Sequence, residues 1–364
     1  MSRQPHVLMA GGGTAGHVFP GIAVAAELRR RGWKASWAGR DGEMEEFLIE
    51  SQELDFHALP ARAVVGKSLL SKVGAVATLS RSALAARRLI RRSDARVVLG
   101  TGGYVSVPAA VGARLARRPV LLFEPNARAG EANRTLSRWA RAAAVGYPSA
   151  TADLHCPVHV TGVPVRPEFL RLGDPPAHRT SVLVLGGSQG ALNVNRLLPP
   201  AFGRLAAEFP GLEIVHQVGR HREATERAYG EVDMGTARVR IEPFIDDVAG
   251  AMESAHLIVS RAGAVTLAEI CAAGRPALLI PLKLAGGHQR ENAQALVDAG
   301  GAAMLEEDCS VDEAVTTLRS LLLSDERRRE MGRAVAGLAA GDAARTIADL
   351  VESAAGIGTE RAEG

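Results

Sequence analysis

Long apolar runs, cysteine pairs and aromatic side chains are all scarce in this chain of 364 residues. No apolar run reaches the roughly 18 to 20 residues that a bilayer span requires, and the stretch after Met1 is too short for the apolar region of a secretion signal. A chain that neither spans a membrane nor is exported is expected. Cys156, Cys271 and Cys309 are odd in number and far apart, so they offer neither a disulfide framework nor a Cys-x-x-Cys zinc site. A reducing cytoplasm suits them. Aromatic residues make up 4% of the chain and no recognition motif for nucleic acid occurs, which makes nucleic acid a poor partner.

What is present is ordinary for a globular protein: 47% hydrophobic residues, 23% charged, and a mean hydropathy of +0.04. The length exceeds what a single core supports, so two domains are expected. The net charge of +3 hides an asymmetry, because residues 1–162 carry a net +10 and the remainder a net −7. Residues 67–118 alone hold eleven basic side chains against one acid, Asp94. Such a stretch favours phosphate-bearing or membrane-surface partners.

Short strand-like runs alternate with amphipathic stretches of helical length, the pattern of an α/β fold with doubly wound parallel sheets. Strands are expected near His6–Ala10, Lys34–Trp37, Phe56–Leu59, Arg96–Leu99, Val120–Phe123 and Ala142–Val145. A second series is expected near Ser181–Leu185, Glu213–Gln217, Val239–Ile241, His256–Val259, Ala277–Ile280 and Ala302–Leu305. Pro/Gly-rich residues from Gly162 to Pro167 mark the boundary between them. The division is then residues 1–164, residues 165–340, and a closing helix and tail at 341–364. Each half opens with a strand running into glycines, Val7 to Gly13 and Val182 to Ser188, as in two Rossmann-like domains facing across a cleft.

Gly11 to Gly16 satisfies G-x-G-x-x-G between a strand and a helix, where bare N–H groups can hold an anion. A nicotinamide dinucleotide would call for an acid at the end of the second strand, yet that strand ends in Arg40, which suits only NADP. His17 follows at once, with Pro20 read as lying in the first helical turn. On position alone, His17 is as readily a capping histidine as a catalytic one. Gly100 to Pro108 repeats the strand–glycine–helix arrangement, and glycine at three of four positions lets another molecule approach the backbone.

Gly186-Gly187-Ser188-Gln189-Gly190 fits both a diphosphate-binding turn and the nucleophile elbow of α/β-hydrolases. Its echo of the first glycine loop favours the former. Glu269 lies in a helix after Ser260 to Gly263, where either the helix dipole or ribose hydroxyls could explain it. His288 to Ala293 opens the next helix with amide side chains that serve equally for capping or binding. Asp-x-Asp is missing, and with it the carboxylate pair that holds a metal against a nucleotide diphosphate in one large class of sugar transferases. No metal and no cofactor are expected, with diphosphate charge met by helix N-termini and arginines.

Together, Gly12 to Gly21, Gly102 to Ser106, Gly186 to Ala191, Phe244 to Asp247 and Ala264 to Glu269 closely resemble the MurG family over essentially the whole chain. These are bacterial transferases that move N-acetylglucosamine (GlcNAc) from UDP-GlcNAc to lipid I, forming lipid II in peptidoglycan synthesis. The resemblance implies a GT-B fold and a peripheral enzyme on the cytoplasmic face of the inner membrane. It implies donor contacts at Ile245 for uracil, Glu269 for ribose and Ser188 for the diphosphate. Ala264, Val265, Thr266, Leu267 and Ala268 would supply the helix start, and Arg166 and Gln289 would approach the diphosphate or sugar.

In the first half the same resemblance implies donor contacts from Thr14, Ala15, Gly16 and Asn126, and acceptor-diphosphate contacts from the glycine loops, Gly102, Gly103 and Tyr104 among them. The reaction it implies is a single inverting displacement by the acceptor's C4 hydroxyl. His17 would be the base and Glu124 the alternative. Two positions depart from the family pattern: Ala15-Gly16 replaces Gly-Gly before the histidine, and Glu124-Pro125-Asn126 replaces Glu-Gln-Asn. Pro125 removes both a side-chain amide and a backbone donor. Rival readings are a related UDP-sugar transferase with another lipid acceptor, a non-catalytic nucleotide-sugar binder at the membrane, an NADP oxidoreductase and a serine hydrolase.

Leu69, Leu70, Val73, Val76 and Leu79 recur at helical spacing among Lys67, Lys72, Arg81, Arg87, Arg88, Arg91 and Arg92, which suits shallow insertion among anionic lipids. Binding to anionic vesicles, followed by sedimentation, is therefore expected to weaken with added salt and in the variant carrying Lys67→Glu, Lys72→Glu and Arg81→Glu. Binding indifferent to salt would remove the electrostatic part of this reading.

Overall fold

The computed structural model describes residues 4–42, 44–60, 69–173, 180–187, 189–283 and 287–357, with the side chains at 15, 44 and 69–77 left out. Chain contacts divide it into two units, Met1–Val165 with Ala340–Gly364, and Arg166–Ala339. Among the described residues, no helix is long and apolar enough to cross a membrane.

The first unit is built on seven parallel strands: β1 (His6–Gly11), β2 (Lys34–Gly39), β3 (Asp55–Ala58), β4 (Val97–Gly102), β5 (Val120–Glu124), β6 (Ala142–Val145) and β7 (Val158–Val160). Their order is β3-β2-β1-β4-β5-β6-β7. Helices α1 (Ala15–Arg30), α2 (Met44–Glu50), α3 (Leu69–Ser93), α4 (Ser106–Ala116) and α5 (Glu131–Leu136) fill the crossovers. Strands β1, β4 and β5 are buried along their whole length, as expected where helices cover both faces of a parallel sheet. Trp37 is fully buried, and its indole N–H donates to the Gly11 carbonyl at 3.0 Å, tying β2 to the end of β1.

The second unit repeats the plan with β8 (Ser181–Leu185), β9 (Glu213–Gln217), β10 (Arg238–Glu242), β11 (Leu257–Ser260), β12 (Ala277–Leu279) and β13 (Ala302–Met304), in the order β10-β9-β8-β11-β12-β13. Its helices are α6 (Leu192–Ala206), α7 (Arg222–Gly230), α8 (Val248–Glu253), α9 (Ala264–Ala273), α10 (His288–Asp298), α11 (Val311–Leu322) and α12 (Asp325–Ala336). Val184, Leu198, Phe202, Ile214, Leu257, Leu278 and Leu318 meet in one buried cluster between sheet and helices.

Both sheets reverse their strand order once, between β1 and β4 in the first and between β8 and β11 in the second. At such a switch point the following helices depart to opposite faces and leave a crevice at the carboxyl ends of the strands. The glycine loops after β1, β4 and β8 open there, as does the Ser260–Gly263 turn after β11. The β1–β4 pairing slips at this point: Ala10 faces Gly100 but Gly11 faces Gly102.

Every strand expected from the pattern is present, and the short edge strand β7 was not anticipated. Three residues give too little alternation to register as a strand, and two of them are exposed. One local reading is corrected. Helix α1 begins at Ala15, so Pro20 stands inside the helix and not in its first turn, withholding the N–H that would bond the Gly16 carbonyl.

The final helix, α13 (Ala343–Ala354), returns to the first unit and packs on α1. Arg31 joins them, donating to Glu27 at 2.7 Å, Asp349 at 2.5 Å and Glu352 at 2.8 Å, while the Trp33 indole donates to Glu352 at 3.1 Å. The Arg31 side chain is only 14% exposed, and its loss removes the partner shared by three carboxylates, two of them on α13. Arg31→Ala is expected to destabilise the first unit by about 2 kcal/mol in urea denaturation, and Arg31→Lys to recover only part. A loss under about 0.5 kcal/mol would mean a surface pair of no consequence.

Candidate active site

In the first unit the turn after β1 passes through Gly13 at φ +83° before α1 starts. Thr14 is exposed at the N-cap position and makes no side-chain cap bond; Ala15 and Gly16 open the helix. His17 follows in the first turn, its N–H donating to the Thr14 carbonyl at 3.1 Å. The His17 ring is half-buried against the turn after β4. A Cβ added to Gly102 would lie 2.6 Å from His17 Nδ1, and one added to Gly103 would lie 2.4 Å from the Gly12 carbonyl oxygen. Both glycines also have positive φ, +103° and +77°. The imidazole therefore rests on backbone that no side chain may cover.

Tyr104 continues that second turn, accepting a hydrogen bond from Arg40 Nη1 at 3.3 Å, and the Ser106 hydroxyl holds the Gly103 carbonyl at 2.7 Å. The structure thus brings together Thr14, Gly16, His17, Gly102, Gly103 and Tyr104. Glu124 ends the neighbouring strand β5 and is 2% exposed. Its Oε1 accepts from the backbone and side-chain N–H of Asn126, both at 3.0 Å, and its Oε2 accepts from Gly130 N–H and Asn133 Nδ2, both at 2.9 Å. Four donors on one carboxylate hold the turn that carries Asn126.

Sequence reasoning gave no role to Glu45, a carboxylate from α2 that is 2% exposed beneath the first glycine turn. It lies far from the glycines in sequence, and only the fold reveals their contact.

In the second unit, Gly187 and Gly190 turn the chain at φ +77° and +78° between β8 and α6; Ser188 lies outside the described residues. A Cβ on Gly190 would fall 2.3 Å from the Val218 carbonyl, and one on Gly219 would fall 2.3 Å from Gly190 N. Asn195 Nδ2 donates to that Val218 carbonyl at 2.9 Å, and its Oδ1 lies 3.1 Å from His216 Nε2. His216 Nδ1 in turn meets the Tyr229 hydroxyl at 3.1 Å. Burial pushes His216 down to about 3, so it stands neutral and acts as a brace.

Glu269 lies in the second turn of α9 and is 8% exposed, accepting from Arg166 Nη2 at 3.1 Å. The helix dipole fades beyond the first turn, which weakens the plain electrostatic explanation of this acid. Burial pushes its carboxyl above the usual range, and the Arg166 guanidinium pulls the other way. The Gln289 carbonyl accepts from Ala262 N at 3.2 Å and Leu282 N at 3.0 Å, and Asn292 Nδ2 reaches the Ala262 carbonyl at 3.2 Å. Both amides therefore pin the turn preceding Ala264, Val265, Thr266, Leu267 and Ala268. Ile245 is buried beside the exposed Phe244, and Asp247 caps α8. Arg261 is paired with Glu307 and donates to the Ile280 carbonyl at 3.0 Å. Cys271, in α9, is pushed up to about 12 by burial, so it is no nucleophile.

Residues 7–145 match the glycosyltransferase family 28 N-terminal domain, and residues 181–349 match the family 28 C-terminal domain. Two curated relatives, from Xanthomonas oryzae pv. oryzae (strain KACC10331 / KXO85) and Xylella fastidiosa (strain M12), are each 39% identical. The first match covers 98% of this chain and 80% of the relative, the second 95% of each. Both relatives are named UDP-N-acetylglucosamine–N-acetylmuramyl-(pentapeptide) pyrophosphoryl-undecaprenol N-acetylglucosamine transferase. The crystal structure of Acinetobacter baumannii MurG superposes with a TM-score of 0.82 at 32% identity, covering 96% of this chain and 99% of that one.

Arg166→Gln leaves the burial of Glu269 unopposed. The Glu269 carboxyl is then expected to titrate at higher pH than in the parent protein, read by NMR of labelled glutamate. An unmoved midpoint would show that Arg166 is not its counter-ion.

Proposed function

The chain belongs to the MurG family within glycosyltransferase family 28, and from that premise we propose how its residues divide the work of moving GlcNAc from UDP-GlcNAc to lipid I. It is an inverting hexosyltransferase of peptidoglycan synthesis, and its product is lipid II. The C4 hydroxyl of the acceptor's N-acetylmuramyl sugar attacks the anomeric carbon of the α-linked donor. The new C–O bond forms as the bond to the UDP oxygen breaks, giving a β-1,4 linkage.

The hydroxyl must lose its proton as it attacks, and His17 accepts it. The observation that carries this assignment is the seat of its ring on the bare backbone of Gly102 and Gly103, at the switch point of the first sheet. Glu124 already accepts four N–H bonds, which supports a shaping role for it and leaves the proton to His17.

On the donor side, Glu269 accepts the ribose hydroxyls, Ile245 bounds the uracil, and Ser188 with the Gly186–Gly190 turn meets the diphosphate. Arg166 and Gln289 stand toward the diphosphate and sugar, and the first turn of α9 supplies N–H groups to the departing charge. Thr14, Ala15, Gly16 and Asn126 approach the donor from the first unit. Gly102, Gly103 and Tyr104 of the first unit receive the acceptor's diphosphate. Basic residues between 67 and 118 hold the enzyme against anionic lipid on the cytoplasmic face of the inner membrane.

In assays of UDP release with UDP-GlcNAc and a lipid I analogue, His17→Ala is expected to lower kcat by about 100-fold or more while donor KM changes by less than about threefold. Near-normal turnover by that variant would take His17 out of the role.

A further inference from the structure

Two glycine turns leave adjacent strands of the first sheet, and the side chains beside them differ in charge. Behind the first turn, Glu45 Oε2 accepts the Gly13 N–H at 3.3 Å and Oε1 accepts the Arg40 N–H at 3.4 Å. Gly12 presses so closely on this acid that an added Cβ would lie 2.2 Å from Oε1. A backbone donor that would serve an anion there is thus already committed to a buried carboxylate. The second turn runs into α4, whose first turn contains no acid, and the Arg40 guanidinium donates to the Tyr104 hydroxyl beside it at 3.3 Å. Arg40 follows β2 directly, and the transfer described above gives it no role.

We propose that Glu45 is a positioning residue that closes the Gly12–Gly13 turn to anions, so that Arg40 and Tyr104 direct the acceptor's diphosphate to the Gly102–Tyr104 turn alone. This rests on the reading of the chain as a transferase with a diphosphate-linked acceptor, and refines it by separating two turns that look alike in sequence. Like charges at close range repel strongly where water is scarce, so a phosphate does not settle over Glu45. The first turn is left to the uncharged sugar, whose hydroxyl has to reach His17 while its anomeric diphosphate lies at the other end of the ring. Opposite polarity at neighbouring turns therefore orients the acceptor.

The test is steady-state kinetics of the purified full-length enzyme with UDP-GlcNAc and a lipid I analogue, using inorganic pyrophosphate as an anion competing with the acceptor at saturating donor. Glu45→Gln keeps the size of the side chain and an acceptor oxygen but removes the charge. Pyrophosphate is expected to compete about fivefold more tightly in this variant, with kcat about tenfold lower and donor KM within about twofold. Arg40→Gln is expected to raise acceptor KM and weaken pyrophosphate competition, each by about tenfold, and Arg40→Lys to recover most of both. Unchanged competition in Glu45→Gln, or an unchanged acceptor KM in Arg40→Gln, overturns the inference. If Glu45→Gln does not fold, as near-UV circular dichroism will reveal, the Arg40 variants decide it. No turnover by the parent enzyme would sink the transferase reading, whereas normal parent turnover with unaltered variants would sink only this inference.

Discussion

The packing of an imidazole ring directly onto peptide backbone organises the chemistry of the first unit. His17 comes from the helix after β1, and Gly102 and Gly103 come from the turn after β4. They meet because the strand order reverses between those two strands. The Gly12 carbonyl lies against the same backbone, so the β1–α1 and β4–α4 connections lock into one surface. Each glycine is needed twice, once for its positive φ and once because any side chain would strike a neighbour. A ring held in this way has little rotamer freedom to lose when a substrate arrives.

The second unit solves a different electrostatic problem. Arg166 and Arg261 are each matched by a carboxylate, Glu269 in α9 and Glu307 respectively. Arg166 also stacks on the Phe169 ring at 4.7 Å, which fixes the plane of its guanidinium. Under the proposed donor reading, those balanced charges leave the diphosphate to backbone N–H groups at the glycine turn after β8 and at the α9 N-terminus. The unit Arg166–Ala339 carries 19 basic against 23 acidic side chains, a net −4, so it holds no surplus of cations.

Much of this was legible in the amino-acid sequence, because parallel strands buried on both faces are continuous apolar runs and glycine loops punctuate them at fixed places. The two-unit α/β plan and the grouping of His17 with Gly102, Gly103 and Tyr104 follow from those signals. Other features were not legible, for identifiable reasons. Strand β7 is too short and too exposed to show a period. Pro20 looked like a helix opener because a proline is rare inside a helix, and the helix in fact begins five residues earlier, at Ala15. The roles of Glu45, His216 and Asn195 depend on contacts between residues remote in sequence, and nothing local distinguishes Glu45 from the other acids of α2. Lys67 and Ser188 fall outside the described residues, as do the side chains of Ala15, Leu69, Leu70, Lys72, Val73 and Val76.

The return of α13 to α1 makes the first unit discontinuous in the chain, with the whole of Arg166–Ala339 inserted between its parts. During translation, Arg31 and Trp33 leave the ribosome more than three hundred residues before Glu352 exists to meet them. All seven strands of the first sheet have been made long before then, yet the face of α1 that receives α13 stays uncovered until the closing helix is synthesised. A chaperone acting on the nascent chain would find that face of α1, the helix that also carries His17, open until the last helix is made.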